Sequence, residues 1–399
     1  MQKKLQLKFL DSLIKEKEKL LNFWLENSID QKNGGFYGEL KVNNQPVPAA
    51  NKALILNSRI LWSFSNAYRE DKNIKYKKMA DRAYNYLLDN FEDKKRGGFY
   101  WLLDQNGQAL QTKKQIYGQA FCIYAFSEYF RAFKKEAAIN KAIEIFSLIE
   151  DKSYDSEYGG YFEAYSKDWS PVNDMSLSEK DMNVAKSMNT HLHILEAYTN
   201  LYRVWPDKKL EARLEELIKV MINKIVDSNN YQFKLFFDQD WSSKSDIISY
   251  GHDIEGSWLI FEAAEVLGNK ALIDKTGVYA KKMAAVVLKE GINQDGSVIY
   301  EKEAQKIDSD RHWWPQAEAV VGFINAYQLS GSEKYLEAAL KNWDYILNNL
   351  IDHQKGGWYW LVDHQGVASD KAKINPWKSP YHNSRACYEA INRIKTIRK

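Results

Sequence analysis

The sequence has 399 residues, and its 56 basic and 53 acidic side chains are interspersed, for a net charge of +3. This balance lacks the basic field that nucleic acids and anionic membranes select, so neither partner is expected. Lysines interrupt the stretch from Met1 to Leu21, which excludes the apolar core of a signal peptide, and no apolar run reaches membrane-spanning length. A cytoplasmic protein is therefore predicted.

No Ser/Gly-rich or low-complexity tract divides the chain, so residues 1–399 are predicted to form one domain. Cys122 and Cys387 both lie in apolar helical patterns, which indicates buried thiols and no disulfide. The composition is compatible with a monomer or a homodimer. The 13 Trp, 25 Tyr and 17 Phe exceed what a core requires, and aromatic faces suit sugar rings.

A turn motif recurs along the chain and divides it into repeats. Each copy is a Gly-Gly pair followed by an aromatic stretch; with weaker copies at Asn229–Asn230 and Asp295–Gly296 there are six units of roughly sixty to seventy residues. Glycine supplies the positive φ of a tight turn, and the alternation that follows is typical of a short β-hairpin. The clear copies begin at Gly34, Gly97, Gly159 and Gly356.

Two kinds of helical pattern alternate between the turns. One kind is amphipathic with a charged face, most clearly Lys208 to Val226, and should face water. The first helix, Leu5 to Asn27, gains a partner only if the last, Ser384 to Arg398, closes a ring. The other kind is apolar around most of its circumference and should be buried: Ile116 to Ala132, Ser187 to Tyr202, His252 to Leu267 and Trp313 to Leu329.

These patterns predict an all-α fold, an (α/α)6 barrel of twelve helices in two concentric layers, with short β-hairpins at one rim. An open helical solenoid is the alternative. Terminal helices of a solenoid carry a polar outer face, and neither terminal helix here has that pattern, which favours the closed ring.

Polar residues near the starts of the buried helices are those a ligand in the central cavity can reach. Arg59 is a cation in an apolar stretch; a buried structural ion pair is its alternative interpretation. Tyr117 and Asn189 begin the next two buried helices. His191 and His193 point in different directions on a helix, so at most one of them should face the cavity.

A second group of polar residues follows later in the chain. His252 and Glu255 share one helix face, where a buried His hydrogen-bonded by its neighbour is the structural alternative. Trp313 and Trp314 precede a helix whose first turn is marked by Pro315. Trp377 and His382 lie in the aromatic and polar segment that introduces the last helix.

Together these motifs resemble the cellobiose 2-epimerases of the N-acylglucosamine 2-epimerase superfamily over nearly the whole chain. No single motif is specific, but their combination is. The matching segments are Ser58 to Trp62, Met188–Asn189 with His193, Ser249 to Glu255, Trp313–Trp314 with Gln316 to Ala319, and Trp377–Lys378 with Pro380 to Asn383.

The resemblance implies reversible inversion at carbon 2 of a reducing-end sugar, such as that of cellobiose or lactose, on an (α/α)6 barrel without metal or nucleotide cofactor. It implies acid/base roles for His252 and His382 and supporting roles for Arg59, His193 and Glu255. His191 and His312 match no role. Sugar contacts are implied for Tyr117, Asn189, Trp313, Trp314 and Trp377.

The residue types suit this chemistry. Removing and returning a C2 proton needs two groups that exchange protons near neutrality, as His252 and His382 can. Arg59 can stabilise the negative charge of a cis-enediolate intermediate. Glu255 is expected to orient the imidazole of His252, and His193 to hydrogen-bond the sugar and assist ring opening.

Other classes stay open from the sequence. A glycoside hydrolase would use two carboxylates from Asp253, Glu255 and Glu318, and a non-catalytic sugar-binding protein would need only the aromatic rings. A zinc site at His252 and Glu255 would need a further ligand from His193 or His382. Mannobiose, free mannose or free glucose are alternative substrates, and aldose–ketose isomerisation is an alternative or side activity because the enediolate can be protonated at C1.

Overall fold

The computed structural model describes residues 2–179 and 181–397, in which twelve α-helices follow one another. Even-numbered helices are buried over most of their surface, and odd-numbered ones bury a single stripe. The helices are α1 (Gln2–Asn27), α2 (Leu54–Asp71), α3 (Ile74–Tyr86), α4 (Ile116–Phe133), α5 (Glu136–Lys152), α6 (Met188–Tyr202), α7 (Lys208–Val220), α8 (Tyr250–Leu267), α9 (Lys270–Glu290), α10 (Trp313–Ser330), α11 (Glu333–Tyr345) and α12 (Tyr381–Ile397).

The two kinds of helix follow from their sequences. Helix α4 is buried continuously from Ile116 to Tyr129, so it has no face for water. Helix α7 buries Leu210, Leu214 and Leu217 at helical spacing and exposes its charged side chains. Three outer helices end in single π-helical turns, at Leu87–Phe91, Met221–Ile225 and Ile346–Leu350. The amphipathic helix predicted from Lys208 to Val226 is therefore regular α-helix only as far as Val220.

The inner helices form a closed ring. Each even-numbered helix packs against the next, α12 packs against α2, and α1 packs against α12 from outside. The (α/α)6 barrel is confirmed, and the open solenoid is wrong because α12 completes the ring.

Short antiparallel strands gather at one end of the barrel. Strands directly precede α2, α4, α6, α8 and α10, so the hairpins lie where these inner helices begin, as predicted. The strands are β1 (Lys52–Ala53), β2 (Leu102–Leu103), β3 (Ala109–Gln111), β4 (Lys114–Gln115), β5 (Ala164–Tyr165), β6 (Lys186–Ser187), β7 (Phe236–Phe237), β8 (Ile247–Ser249), β9 (Glu301–Glu303), β10 (Lys306–Asp308), β11 (Arg311–His312) and β12 (Leu361–Val362).

The Gly-Gly turns place backbone against neighbouring rings. Gly160 has φ +79°, and a Cβ there would lie 2.5 Å from the Trp241 ring and 2.6 Å from His191 Nε2. Glycine is required at this position for both its backbone angle and its close approach.

Buried lysine–aspartate pairs join four of the turns to the segments that precede inner helices. Each aspartate also accepts backbone N–H groups of its own turn, as Asp30 does from Lys32 and Asn33. The Nζ–Oδ2 distances are 2.9 Å for Lys52–Asp30, 3.0 Å for Lys114–Asp93, 2.7 Å for Lys186–Asp155 and 2.7 Å for Lys373–Asp352. These pairs anchor the turns at this end of the barrel.

Cys122 and Cys387 are buried free thiols, as predicted. Among the helices of residues 2–179 and 181–397, none combines the length and apolar character needed to cross a membrane.

Candidate active site

The predicted site residues come together at the rim ends of the inner helices. Each inner helix contributes from its first turns, so residues far apart in sequence share one region. Arg59 lies on α2, Tyr117 on α4, Asn189 and His193 on α6, His252 and Glu255 on α8, Trp313 and Trp314 on α10, Trp377 immediately before α12, and His382 on α12.

Trp314 lies between the two candidate acid/base residues. Its ring centroid is 4.6 Å from that of His252 and 5.7 Å from that of His382. The three residues stand on the successive inner helices α8, α10 and α12. Gly251 makes this approach possible, because a Cβ there would lie 2.6 Å from the Trp314 ring. The sequence motif around His252 thus includes a glycine that packing requires.

His252 is a neutral imidazole whose Nδ1 lies 2.9 Å from Ser249 Oγ, just before α8 begins. Burial, with a smaller contribution from nearby His193, lowers the pKa of His252 to about 3. The predicted orientation of His252 by Glu255 is wrong: Glu255 Oε1 accepts a hydrogen bond from Arg385 Nη2 at 2.5 Å and lies 3.8 Å from His382 Nδ1.

His382 is held by a carboxylate. Its Nδ1 lies 2.6 Å from Glu318 Oε1, which also accepts from Arg385 Nη2 at 2.7 Å, while Glu318 Oε2 accepts from Trp258 Nε1 at 3.2 Å. Since both oxygens accept hydrogen bonds, Nδ1 of His382 carries the proton and Nε2 keeps its lone pair. Burial, and then the charge of Arg59, lower the pKa of His382 well below its usual value.

Arg385 connects three buried carboxylates and was not identified from the sequence. Its Nη1 donates to Glu196 and to the Tyr381 hydroxyl, and its Nη2 donates to Glu255 and Glu318. Burial and the charge of Glu318 raise the pKa of Glu255 to about 7, although Arg385 acts to lower it. The cluster therefore contains a carboxyl group that titrates near neutrality.

The same cluster reaches His193. His193 Nδ1 donates to Glu196 Oε2 at 3.0 Å, and the Tyr381 hydroxyl donates to Glu196 Oε1. Burial raises the pKa of Glu196, but Arg385 and the hydrogen bonds from His193 and Tyr381 outweigh it and hold the pKa at about 2. Glu196 and Arg385 are 189 residues apart in the sequence, so no local motif reveals their contact.

Arg59 has neutral hydrogen-bond partners. Its Nη2 donates to the Tyr117 hydroxyl at 2.7 Å and its Nη1 to the Trp377 carbonyl at 3.2 Å. The guanidinium lies 4.4 Å from the Phe121 ring centroid, and its Nε is buried without a partner among the described residues. Because these acceptors are uncharged, the structural ion pair does not account for Arg59, and its charge is available to a ligand.

Aromatic rings surround Arg59 and continue towards the rim. Trp377 lies 6.2 Å from Tyr117 and 6.1 Å from Trp101, between ring centroids. Trp313 packs on Trp360 at 4.3 Å. In the described chain, Trp313 Nε1 and Asn189 Oδ1 are buried without hydrogen-bond partners, which suits groups that bind sugar hydroxyls.

His191 and His312 are explained by the fold. His191 Nε2 accepts from the Tyr161 amide at 2.9 Å and Nδ1 donates to the Ser187 carbonyl at 2.7 Å. In the same way, Gln119 on α4 accepts from the Phe99 amide, and Gln316 on α10 accepts from the Val298 amide. His312 stacks on Tyr300 with centroids 3.8 Å apart.

Glu255, Glu318 and His382 place three potential ligand atoms within 4.8 Å of one another. Arg385 Nη2 already donates to both carboxylates, so a guanidinium supplies the positive charge that a metal ion would bring. This group of three residues does not include His252, which the zinc-site alternative requires. The arrangement does not fit a metal centre.

An (α/α)6 barrel that gathers neutral imidazoles, a guanidinium and indole rings at one rim defines a carbohydrate-modifying enzyme. The family model described as N-acylglucosamine 2-epimerase matches residues 35–386. A cellobiose 2-epimerase of Bacteroides fragilis is 46% identical over 376 residues, covering 94% of this chain and 96% of that protein. One of Dictyoglomus turgidum is 39% identical over 393 residues, covering 98% and 100%.

Solved structures agree. The cellobiose 2-epimerase of Bacillus thermoamylovorans B4167 superposes with a TM-score of 0.93 at 39% identity, covering 97% of this chain and 99% of that one. A family 76 glycoside hydrolase from a bovine Bacteroides thetaiotaomicron strain, with a TM-score of 0.67 at 11% identity, shares the fold alone, covering 96% and 78%. The chain belongs to the N-acylglucosamine 2-epimerase family, and it is a carbohydrate epimerase.

Proposed function

We propose that the protein reversibly epimerises carbon 2 of the reducing-end sugar of β-1,4-linked disaccharides, such as cellobiose and lactose. The observation that carries the proposal is the placement of two neutral imidazoles on both sides of Trp314. His252 lies on α8 and His382 on α12, and these helices flank α10, which bears Trp314. Curated relatives with 39% to 46% identity named cellobiose 2-epimerase support the substrate class.

The proposed reaction moves one proton off and back onto C2. After ring opening, one imidazole removes the C2 proton to give a cis-enediolate, and rotation about C2–C3 presents the other face to the second imidazole. Low pKa values keep both His252 and His382 neutral at pH 7, so either can begin as the base. The second imidazole takes up a proton from solvent before it returns one to C2, and the first imidazolium releases its proton to solvent. Glu318 would stabilise the imidazolium of His382 as it forms.

Arg59 would bind the oxygens on which negative charge develops. Its orientation is set by Tyr117 and by the Trp377 carbonyl before substrate arrives, which favours the charged intermediate over the neutral sugar. His193, with Nδ1 held by Glu196, has Nε2 left to hydrogen-bond a sugar hydroxyl and suits ring opening. Trp313, Trp314 and Trp377 would pack on the sugar rings, with Asn189 as a polar contact.

Mannobiose, free mannose and free glucose present the same reacting centre, so epimerisation of these sugars and aldose–ketose isomerisation are the alternative activities.

A glycoside hydrolase is disfavoured. Glu255 and Glu318 accept from the same nitrogen of Arg385, so they do not flank a scissile bond from two sides. A cytoplasmic location and a monomeric or homodimeric state stay predictions.

The test is incubation of purified, chelator-treated protein with cellobiose, mannobiose and mannose in deuterated buffer, followed by NMR of the reducing-end sugar. We expect a C2 epimer with deuterium at C2, fastest for cellobiose, no exchange with His252→Ala or His382→Ala, and full exchange with the control His191→Gln. Release of monosaccharides, or no exchange by the wild type, contradicts the proposal. Exchange that returns only with added metal contradicts the metal-free mechanism.

A further inference from the structure

Lys378 is a buried lysine whose side chain is hydrogen-bonded to backbone carbonyls. Lys378 is 3% exposed, and its Nζ donates to the carbonyls of Trp358 at 2.7 Å and Tyr359 at 2.5 Å. Lys373, in the same repeat, instead pairs with Asp352 at 2.7 Å. Burial, and then repulsion from Lys373, lower the pKa of Lys378 well below its usual value.

The fold does not require an amine at this position. Burying an amine whose acceptors are neutral carbonyls costs stability, because a buried charge is compensated best by an opposite charge, and an unbranched apolar side chain such as Met fills similar space. Four inner helices hold their hairpins with a shorter side chain, which accepts a hydrogen bond from a backbone N–H group that follows the turn. These side chains are Gln119, His191, Asp253 and Gln316. A lysine from the loop before α12 thus needs an explanation beyond packing.

That loop carries substrate-binding groups. Residues 375–380 separate the bridge at Ile374 from the start of α12, and Asn375 Oδ1 accepts the backbone N–H groups of Trp377 and Lys378, both at 2.9 Å. The Trp377 carbonyl accepts from Arg59. Lys378 Nζ lies 4.9 Å from the Trp313 ring centroid.

We propose that Lys378 is a positioning residue for the sugar site: it ties the loop of Trp377 to the last hairpin and thereby fixes the Trp377 ring and the Trp377 carbonyl that orients Arg59. The proposal rests on the proposed function. Without this tie the loop keeps its internal turn at Asn375 and its attachment at Ile374. Trp377 and Arg59 no longer have one fixed arrangement, so affinity for the disaccharide falls before the fold is lost.

The test compares Lys378→Met with the matched control Lys373→Met, which removes an amine from the same repeat without touching the loop of Trp377. We measure Tm, kcat and KM for C2 epimerisation of cellobiose, and cellobiose binding by tryptophan fluorescence. Lys378→Met is expected to raise KM and the dissociation constant at least about tenfold with a folded thermal transition. Lys373→Met is expected to lower Tm more and leave KM within about twofold.

Partial recovery of KM in Lys378→Arg, which can donate to the same carbonyls, would support positioning over packing. Unchanged KM and binding in a folded Lys378→Met overturn the inference, and so does an equal KM change in Lys373→Met. If Lys378→Met does not fold, Lys378→Arg and Lys378→Gln carry the same comparison. Binding without turnover in the wild type rejects the proposed reaction but leaves the binding test valid; absence of both overturns both proposals.

Discussion

His382 Nδ1 and Glu318 Oε1 lie 2.6 Å apart, and the same oxygen accepts a hydrogen bond from Arg385 at 2.7 Å. The carboxylate sets the tautomer of the imidazole and stabilises the imidazolium formed when Nε2 takes a proton. Arg385 holds that carboxylate in place from the next turn of α12. The imidazole proposed as an acid/base group is thus positioned by a carboxylate on a different helix.

Replacing Glu318 with Gln removes the charge while keeping the shape. We expect kcat for C2 exchange to fall at least about 100-fold, because the imidazolium loses its counter-charge. In addition, the NH2 group of the introduced glutamine would meet an N–H donor of Trp258 or Arg385, to which it cannot hydrogen-bond. KM should change little. Deuterium incorporation at saturating cellobiose measures the effect, and circular dichroism checks the fold. A folded variant with kcat near the wild-type value would contradict the role of Glu318.

The pH dependence of the reaction is predicted to follow Glu255. With a pKa of about 7, Glu255 is neutral below that pH and gains its charge as pH rises. The added charge lies 3.8 Å from His382 Nδ1 and favours its imidazolium in the transition state. We therefore expect kcat/KM to rise with pH through about 7. His252, with a pKa of about 3, contributes no step there.

The Glu255→Gln variant separates this group from the others. Its kcat/KM should be flat between pH 5.5 and 8.5, close to the wild-type value at pH 5.5 and below it at pH 8.5. If the step persists in the variant, another group causes it and the assignment to Glu255 is wrong.

The sequence predicted the barrel because its two signals are local. The Gly-Gly turns and the alternation of apolar and amphipathic helices each depend on neighbouring residues, and the lack of a polar outer face on either terminal helix indicated closure. Boundaries were less accurate: α12 begins at Tyr381 and not at Ser384, so His382 lies in the first helical turn. Tyr381, His382 and Asn383 are predicted as part of the preceding polar segment, but they form the start of the helix.

The charge cluster beneath the histidines was not predictable in the same way. Glu255 and His252 share a helix face, which suggested a mutual contact, but Arg385 from another helix provides a stronger partner for Glu255. Ser249, just outside the helix, satisfies His252. Contacts between inner helices depend on the ring closing with a given register, and one sequence does not contain that information.

The pair His191 and His193 tests the division between structural and active-site histidines. In His191→Gln the amide oxygen can accept the Tyr161 N–H as Gln119 does for Phe99, so kcat/KM should stay within about threefold and stability within about 1 kcal/mol. In His193→Gln kcat/KM should fall at least about tenfold with little change in stability. Steady-state kinetics and urea unfolding of both variants measure this contrast, and loss of activity in His191→Gln alone would reverse the assignment.

Glu163 is predicted to make the protein less stable as pH rises. It is 3% exposed and accepts the Ser187 N–H at 2.6 Å and the Thr190 hydroxyl at 2.5 Å. Burial raises its pKa to about 8, and these hydrogen bonds only partly oppose the shift. The folded state therefore holds a proton that the unfolded state releases above about pH 4.5, so the free energy of unfolding falls between about pH 4.5 and 8.

Glu163→Gln removes that dependence, because the amide stays neutral and can still accept from Ser187. We expect it to be at least about 1 kcal/mol more stable than the wild type at pH 8.5 and to match it at pH 5. The buried Glu128 is the matched control: Arg131 and Arg69 outweigh burial and lower its pKa, so Glu128→Gln should be less stable than the wild type at pH 8.5. Urea unfolding at both pH values measures the difference. Equal destabilisation by the two substitutions at pH 8.5 would show that Glu163 is ionised and stabilising in the folded protein, against the prediction.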